Sequence, residues 1–363
     1  MKILYDYQIF SIQKYGGVTR YFCELMKNIP SEHQFNLSLI FSDNHYLNEY
    51  RDFFKKLNIL PAKNFKGKNF IEKKFSDLNR YYSRYCISKN DFDLFHPTYY
   101  GTYFFNVLKK PYVLTVHDLV LFKFGDTFFK SSTGKQQIEK AAKNANRIIA
   151  ISENTKKDLI EILNINPEKI DVIYHGYNKA IPGTNFESYG KYILFVGRRS
   201  FYKNFIPFAE AVSELLKREG DIKLICVGSP FDNDETTILS KLRILNQVIA
   251  INVDDNLLNN LYANALVFVF PSLYEGFGMP VLEAFANNCP VCLSNTACFP
   301  EIAGNAGVYF DPYSRESMST SIEKVIYDTG FASEIIAAGQ ERLKNFSWKK
   351  TVNETVSSYL KTL

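Results

Sequence analysis

Two glutamates, Glu275 and Glu283, stand eight positions apart in PSLYEGFGMPVLEAFANN (271–288), with two glycines and a proline between them. Carboxylates accept hydrogen bonds from hydroxyls, and glycines let a ligand approach the backbone closely. Pro280 suits the first position of a helix, because it lacks the N–H that would be orphaned there. A helix starting at Pro280 turns the backbone N–H groups of residues 276–279 outward with a partial positive charge, which makes an anion site. Glu283 then lies about one turn into the helix and Glu275 at the loop's opposite edge. Side-chain cations to match come from VGRRSFYKNF (196–205). Arg198 can fork onto phosphate oxygens and Lys203 can act as a point charge. Arg199 follows the same glycine and is an alternative to Arg198. Each cation alone reads equally well as a solvated surface residue; their company is what points to chemistry.

Such residues need strand ends to hold them. Apolar runs of strand length alternate with helical periodicity along the chain. The first series is KILYDY (2–7), YVLTVHD (112–118), RIIAIS (147–152) and DVIYHG (171–176), with Ser152 placed to cap a helix. YNKAIPGTNFESYGK (177–191) reads as a connector. The second series is YILFVG (192–197), IKLICVG (222–228), ALVFVFPS (265–272) and PVCLSN (290–295). This pattern implies an α/β chain of two doubly wound, Rossmann-like domains facing each other across a cleft. The expected domains are 1–180 and 190–345, with 346–363 a helix packing back on the first. Ligands of such sheets sit beyond the carboxyl ends of the strands. That singles out Gly16-Gly17, His96, His117-Asp118, Arg198 with Lys203, and the Glu275 turn.

Bulk properties exclude several classes. The 363 residues are 46% hydrophobic, enough for a large core, and no apolar run approaches the roughly 20 residues that span a bilayer. MKILYDYQIF carries Asp6 in its apolar stretch and reads as a first strand rather than a signal peptide, so a cytoplasmic protein is expected. Six cysteines fit a reducing compartment, and Cys289 and Cys292 of CPVC read as small core residues. The net charge of +5 does not imply nucleic acid. It is uneven, however: residues 51–89 hold eleven Lys or Arg against three acids, interleaved with Phe53, Phe54, Phe65, Phe70, Phe75, Tyr81, Tyr82 and Tyr85. This segment is either a solvated helix pair with its aromatics facing the core or a surface for an anionic membrane or anionic acceptor.

Two carboxylates beside an anion site make sense if the ligand also offers hydroxyls, and a sugar nucleotide meets both demands. The chain resembles the retaining glycosyltransferases of family 4, of GT-B fold, over nearly its whole length. The resemblance rests on YGGVTRYFCEL (15–25), FHPTYY (95–100), TVHDL (115–119), VGRRSFYKNF, FPSLYEGFGMPVLEAFANNCPV (270–291) and SNTACFPEIAG (294–304). It implies that Arg198 and Lys203 grip the donor diphosphate and neutralise the leaving group. Glu283 then binds the ribose hydroxyls, and Glu275 lies near the hydroxyls of the transferred sugar. The amides of Phe277, Gly278 and Met279 contact phosphate and sugar. Gly16 and Gly17 form a loop that closes over diphosphate and acceptor. His117 lies beside the sugar with Asp118 following it in the motif, where Asp118 alternatively caps a helix. His96 lies near the acceptor or in a structural turn.

The expected reaction moves a hexose to an acceptor hydroxyl with retained configuration, without a cofactor or divalent metal. FHPTYY and TVHDL resemble bacterial surface-polysaccharide mannosyltransferases, which favours GDP-mannose; UDP-sugars of glucose, galactose or N-acetylhexosamine are the alternative. The acceptor expected is a saccharide or lipid-linked saccharide, with peripheral membrane contact through residues 51–89. A nicotinamide oxidoreductase is disfavoured because the first turn lacks G-x-G-x-x-G. A non-catalytic sugar-nucleotide-binding protein is disfavoured by the presence of Arg198, Lys203, Glu275 and Glu283 together.

Overall fold

The computed structural model describes residues 1–49, 58–59, 68–128, 132–178, 188–199 and 201–363. The chain forms two compact units, Met1–Gly176 with Ser347–Leu363, and Tyr177–Phe346. No helix among the described residues is long and apolar enough to cross a membrane.

In the first unit, strand Lys2–Asp6 lies between Gln34–Ser38 and Leu94–His96, all parallel. A second parallel set runs Val113–Val116, Arg147–Ala150, Ile170–Val172. A bridge between Phe95 and Tyr112 joins the two sets. Leu94, Val113, Leu114, Ile148 and Ile149 are fully buried, as expected for strands covered on both faces. The carboxyl end of the first strand is closed by Asp6, which sequence reasoning passed over. Its carboxylate accepts from the Thr98 backbone at 2.8 Å, Gln8 Nε2 at 2.7 Å and the Tyr103 hydroxyl at 2.9 Å.

The final helix, Trp348–Leu360, belongs to this first unit. Ser347 caps it, accepting from Lys350 N. Thr351 donates to Tyr174 O at 2.7 Å, and Ser358 donates to Asp171 Oδ2 at 2.7 Å. Burial alone would push the Asp171 carboxyl up, but bonds from Arg147, Ser358 and Lys361 outweigh it and hold it down at about 2. Gly176 lets the helix approach: a β-carbon there would lie 2.1 Å from the backbone nitrogen of Trp348.

The second unit carries one six-stranded parallel sheet. Its order is Val248–Ile251, Ile222–Val227, Lys191–Val196, Val267–Phe270, Val291–Ser294, Gly307–Phe310. Counted within the unit this is 3-2-1-4-5-6, the doubly wound arrangement. The order reverses between Lys191–Val196 and Val267–Phe270, and it is beyond the carboxyl ends of the strands at such a switch point that doubly wound sheets bind ligands. The segment carrying Arg198 and Lys203 follows one of them, and the Glu275 loop follows the other.

Candidate active site

Strand Lys191–Val196 ends at Gly197, with φ +129. The turn after the neighbouring strand comes so close that a β-carbon on Gly228 would lie 2.9 Å from Gly197 O. The two arginines that follow part company here. Arg199 turns inward: its Nε lies 2.8 Å from Glu235 Oε1, and Nη2 donates to Ser229 O at 2.7 Å and Pro230 O at 2.9 Å. Its guanidinium lies 4.6 Å from the Phe231 ring centre, and its side chain is 5% exposed. Arg198 is exposed and has no ion pair among the described residues. Of the two arginines, Arg199 braces the turn after Ile222–Val227 and Arg198 is the exposed one. Arg199→Ala is expected to lower unfolding stability by about 3 kcal/mol, since it strands the buried Glu235 carboxylate. Arg198→Ala should leave the melting temperature unchanged, and thermal unfolding of both variants checks the contrast.

Lys203 closes the short turn Phe201–Lys203. Its ammonium lies 2.5 Å from Glu275 Oε1, near the rings of Tyr202 and Phe270. Both side chains are mostly buried, 16% and 14% exposed. A backbone bond from Leu273 N to Tyr202 O, 2.7 Å, ties the two loops together. Sequence reasoning put Lys203 on phosphate and Glu275 on hydroxyls; in this structure they neutralise each other.

Beyond Glu275, Phe277 is buried with its ring centre 6.0 Å from that of Phe346. Gly278 takes the left-handed conformation, φ +86, and caps helix Met279–Ala286. A β-carbon there would meet the Phe299 ring at 3.3 Å. The helix therefore begins at Met279, one residue earlier than expected, and Pro280 takes its second position. The anion-site logic survives the shift, because the N–H of this position is orphaned too. Glu283 lies half-buried one turn in, where the Tyr262 hydroxyl approaches Oε2 at 3.4 Å.

The first unit gathers the other candidates. Gly16, φ +154, caps helix Gly17–Lys27, and Thr19 Oγ1 donates back to Gly16 O at 2.9 Å. A β-carbon on Gly17 would meet nothing within 4 Å. His117 follows strand Val113–Val116 and is 7% exposed. Its backbone N–H donates to the Tyr100 hydroxyl at 3.0 Å, and its ring lies 5.9 Å from that of His175, nearly parallel. Its Nε2 is buried with no hydrogen-bond partner among the described residues. Burial holds the imidazole down at about 3, so it is neutral at physiological pH. Asp118 Oδ1 accepts from Val120 N at 3.1 Å, at the entry to helix Val120–Phe128.

His96 is not at a surface. It is fully buried, with Nδ1 2.6 Å from the Tyr359 hydroxyl and Nε2 3.0 Å from Thr115 Oγ1. Sequence reasoning also passed over Ser272 and Ser294, whose buried hydroxyls lack partners among the described residues at the ends of adjacent strands. Small polar residues closing apolar runs were the available signal. Cys289 and Cys292 are fully buried, and burial pushes both thiols up. No cluster of three His, Cys, Asp or Glu among the described residues is placed to hold a metal ion.

Residues 15–180 match the family described as Glycosyltransferase Family 4, and residues 178–342 match glycosyl transferases group 1. An uncharacterized glycosyltransferase of Methanocaldococcus jannaschii is 28% identical over 70% of this chain and 70% of its own. O-antigen chain mannosyltransferase B of Escherichia coli is 27% identical over 68% of this chain and 69% of its own. Anabaena HepE, solved in complex with UDP and glucose, superposes with a TM-score of 0.76 over 100% of both chains at 17% identity, a likeness of fold. The strand order, the loops at the switch point and these matches agree: the chain belongs to the glycosyltransferases of GT-B fold, a Glycosyltransferase Family 4 part followed by a glycosyl transferases group 1 part.

Proposed function

We propose that the protein transfers a hexose from a nucleoside-diphosphate sugar to a hydroxyl of a saccharide or lipid-linked saccharide, with retained configuration, in assembly of bacterial surface polysaccharide. One observation carries this: the exposed Arg198 and the Lys203–Glu275 pair lie on the two loops at the switch point, next to the helix starting at Met279. On donor binding Lys203 exchanges Glu275 for a phosphate oxygen, and the released carboxylate takes hydroxyls of the sugar. Glu283 holds the ribose hydroxyls, and the amides of Phe277, Gly278 and Met279 hold phosphate. Gly16 and Gly17 cover the diphosphate, and neutral His117 with Asp118 serves the sugar side.

In the reaction the bond from the anomeric carbon to the phosphate oxygen breaks, and its electron pair leaves on the diphosphate. The acceptor oxygen bonds the same face, and its proton passes to the leaving phosphate. Arg198, Lys203 and the helix N-terminus stabilise the departing charge, each preorganised donor contributing about 2.7–4 kcal/mol. With these cations in place no divalent metal is required. Mannose from GDP-mannose is the favoured donor, supported by the Escherichia coli relative's name; a UDP-hexose is the second reading, supported by the UDP bound to HepE. A cytoplasmic setting is supported by six free cysteines.

The test is a panel of GDP- and UDP-sugars assayed for thermal stabilisation and transfer, with and without a chelator. GDP-mannose should raise the melting temperature most, and transfer should persist in the chelator. No stabilisation by any nucleotide sugar would sink the reading.

A further inference from the structure

The helix Lys68–Lys89 shows an apolar stripe to solvent although it also packs inward. Its inward side mixes apolar with polar residues: Ile87 is buried in the core, and the Phe75 ring lies 4.2 Å from that of Phe41. Asn79 is buried and bonds the backbone of Ile40 and Phe41, and Ser83 is buried between the hydroxyls of Ser38 and Tyr103. On its outward side Leu78, Tyr81 and Tyr85 are 48%, 65% and 56% exposed. Spacings of three and four put these on one stripe, with Lys74 and Lys89 at its two ends. An ordinary amphipathic helix of a globular protein keeps such a stripe against the core. Of the two readings of these aromatics, the core-facing one holds for Phe75, which packs on Phe41, and fails for Tyr81, Tyr82 and Tyr85, which are exposed; Phe53, Phe54 and Phe65 lie outside the described residues.

The geometry points to this stripe as a docking surface for an anionic lipid bilayer. The chemistry of the side chains favours that occupant. Tyrosine has an apolar ring and a polar tip and settles at the boundary between head groups and acyl chains. The helix holds six Lys or Arg against two acids, so it carries four of the chain's five net positive charges. That concentration suits a negative leaflet, where each near-surface cation strengthens binding about five-fold. It disfavours a second copy of the chain, because a symmetric contact would set the charged face against itself. Four residues before Leu78 and four after Tyr85, Lys74 and Lys89 are the cations whose spacing places them on the stripe. The inference stands apart from the transferase reading, since it needs no nucleotide.

Co-sedimentation with vesicles tests it, using phosphatidylcholine alone and an equal mixture with phosphatidylglycerol, at low and high salt. The protein should bind the mixed vesicles at low salt, bind less at high salt, and stay in solution with phosphatidylcholine alone. Lys74→Gln with Lys89→Gln should weaken binding to the mixed vesicles about thirty-fold at low salt. Tyr81→Ser with Tyr85→Ser should weaken it at both salt concentrations while leaving the melting temperature unchanged. If the tyrosine variant misfolds, the lysine variant carries the test. The inference is overturned if wild type ignores anionic vesicles at low salt, or if both variants bind as wild type does. It is also overturned if sedimentation velocity finds a dimer that the tyrosine variant splits, which would give the stripe to a second copy.

Discussion

Lys203→Met and Glu275→Gln, each alone, should lower kcat by about 10²–10³-fold, and each should destabilise the second unit by about 3 kcal/mol. The double variant should regain most of the stability and none of the activity. The physical reason is that the pair is mostly buried, with 2.5 Å between the charges. Removing one partner strands the other charge in a poorly solvated place, whereas removing both leaves two neutral groups of similar size. Activity follows a different rule under the proposed function, in which both charges act on the ligand rather than on each other. Glu275→Gln should also bind the free nucleoside diphosphate more tightly than wild type, since Lys203 no longer has to leave a carboxylate. Urea unfolding, single-turnover transfer and calorimetric titration of the diphosphate read the three quantities. A double variant that transferred sugar at the wild-type rate would show the pair to be a structural clasp and nothing more.

Acid should unfold the first unit well before carboxylate chemistry alone would. Burial holds His96 and His117 down at about 3 and His175 well below its ordinary value; proximity to His117 adds to this for His96 and His175. In the unfolded chain an imidazole titrates near 6.5. Between those values the unfolded chain binds protons that the folded one refuses, so stability is full above about pH 6.5 and lost as pH falls. Each histidine contributes about 1.4 kcal/mol per pH unit. Asp6 works the other way: burial pushes its carboxyl up despite hydrogen bonds from Thr98, Gln8 and Tyr103, so the fold favours its protonated form. One group against three leaves a net loss of roughly 2.7 kcal/mol per pH unit where all four differ in protonation. The chain's single tryptophan, Trp348, packs against His175 and Tyr21 and reports on this unit by fluorescence. Its urea midpoint should drop sharply between pH 7 and pH 5, and an unchanged midpoint would refute the burial argument.

What could be read from the sequence was whatever depends on neighbours along the chain. Apolar runs such as YILFV and VFVF declare buried strands by themselves, and the glycines at 197 and 278 mark turns that only glycine makes easily. Choices made by distant residues stayed hidden. Arg198 and Arg199 follow the same glycine, and what separates them is Glu235, 36 positions away. His96 ends a strand just before a proline, which resembles a ligand-binding position, but its partner Tyr359 lies 263 positions on. Lys203 and Glu275 were each legible as charges in loops that follow strands; that they meet when 72 positions apart was not. Between the two readings of Tyr81 and Tyr85 the sequence could not choose, because their outward turn follows from Asn79 and Ser83 finding polar partners beneath the helix.

The last helix has a consequence for synthesis. Tyr359 supplies hydroxyl contacts to Tyr5 and His96, and Trp348 lies against Gly176, yet both are made after the entire second unit. On the ribosome the first half of the chain therefore emerges lacking part of its own interior. The usual order, in which the earliest domain is finished first, is inverted: the later-born sheet can close while the earlier one waits for residues 347–363.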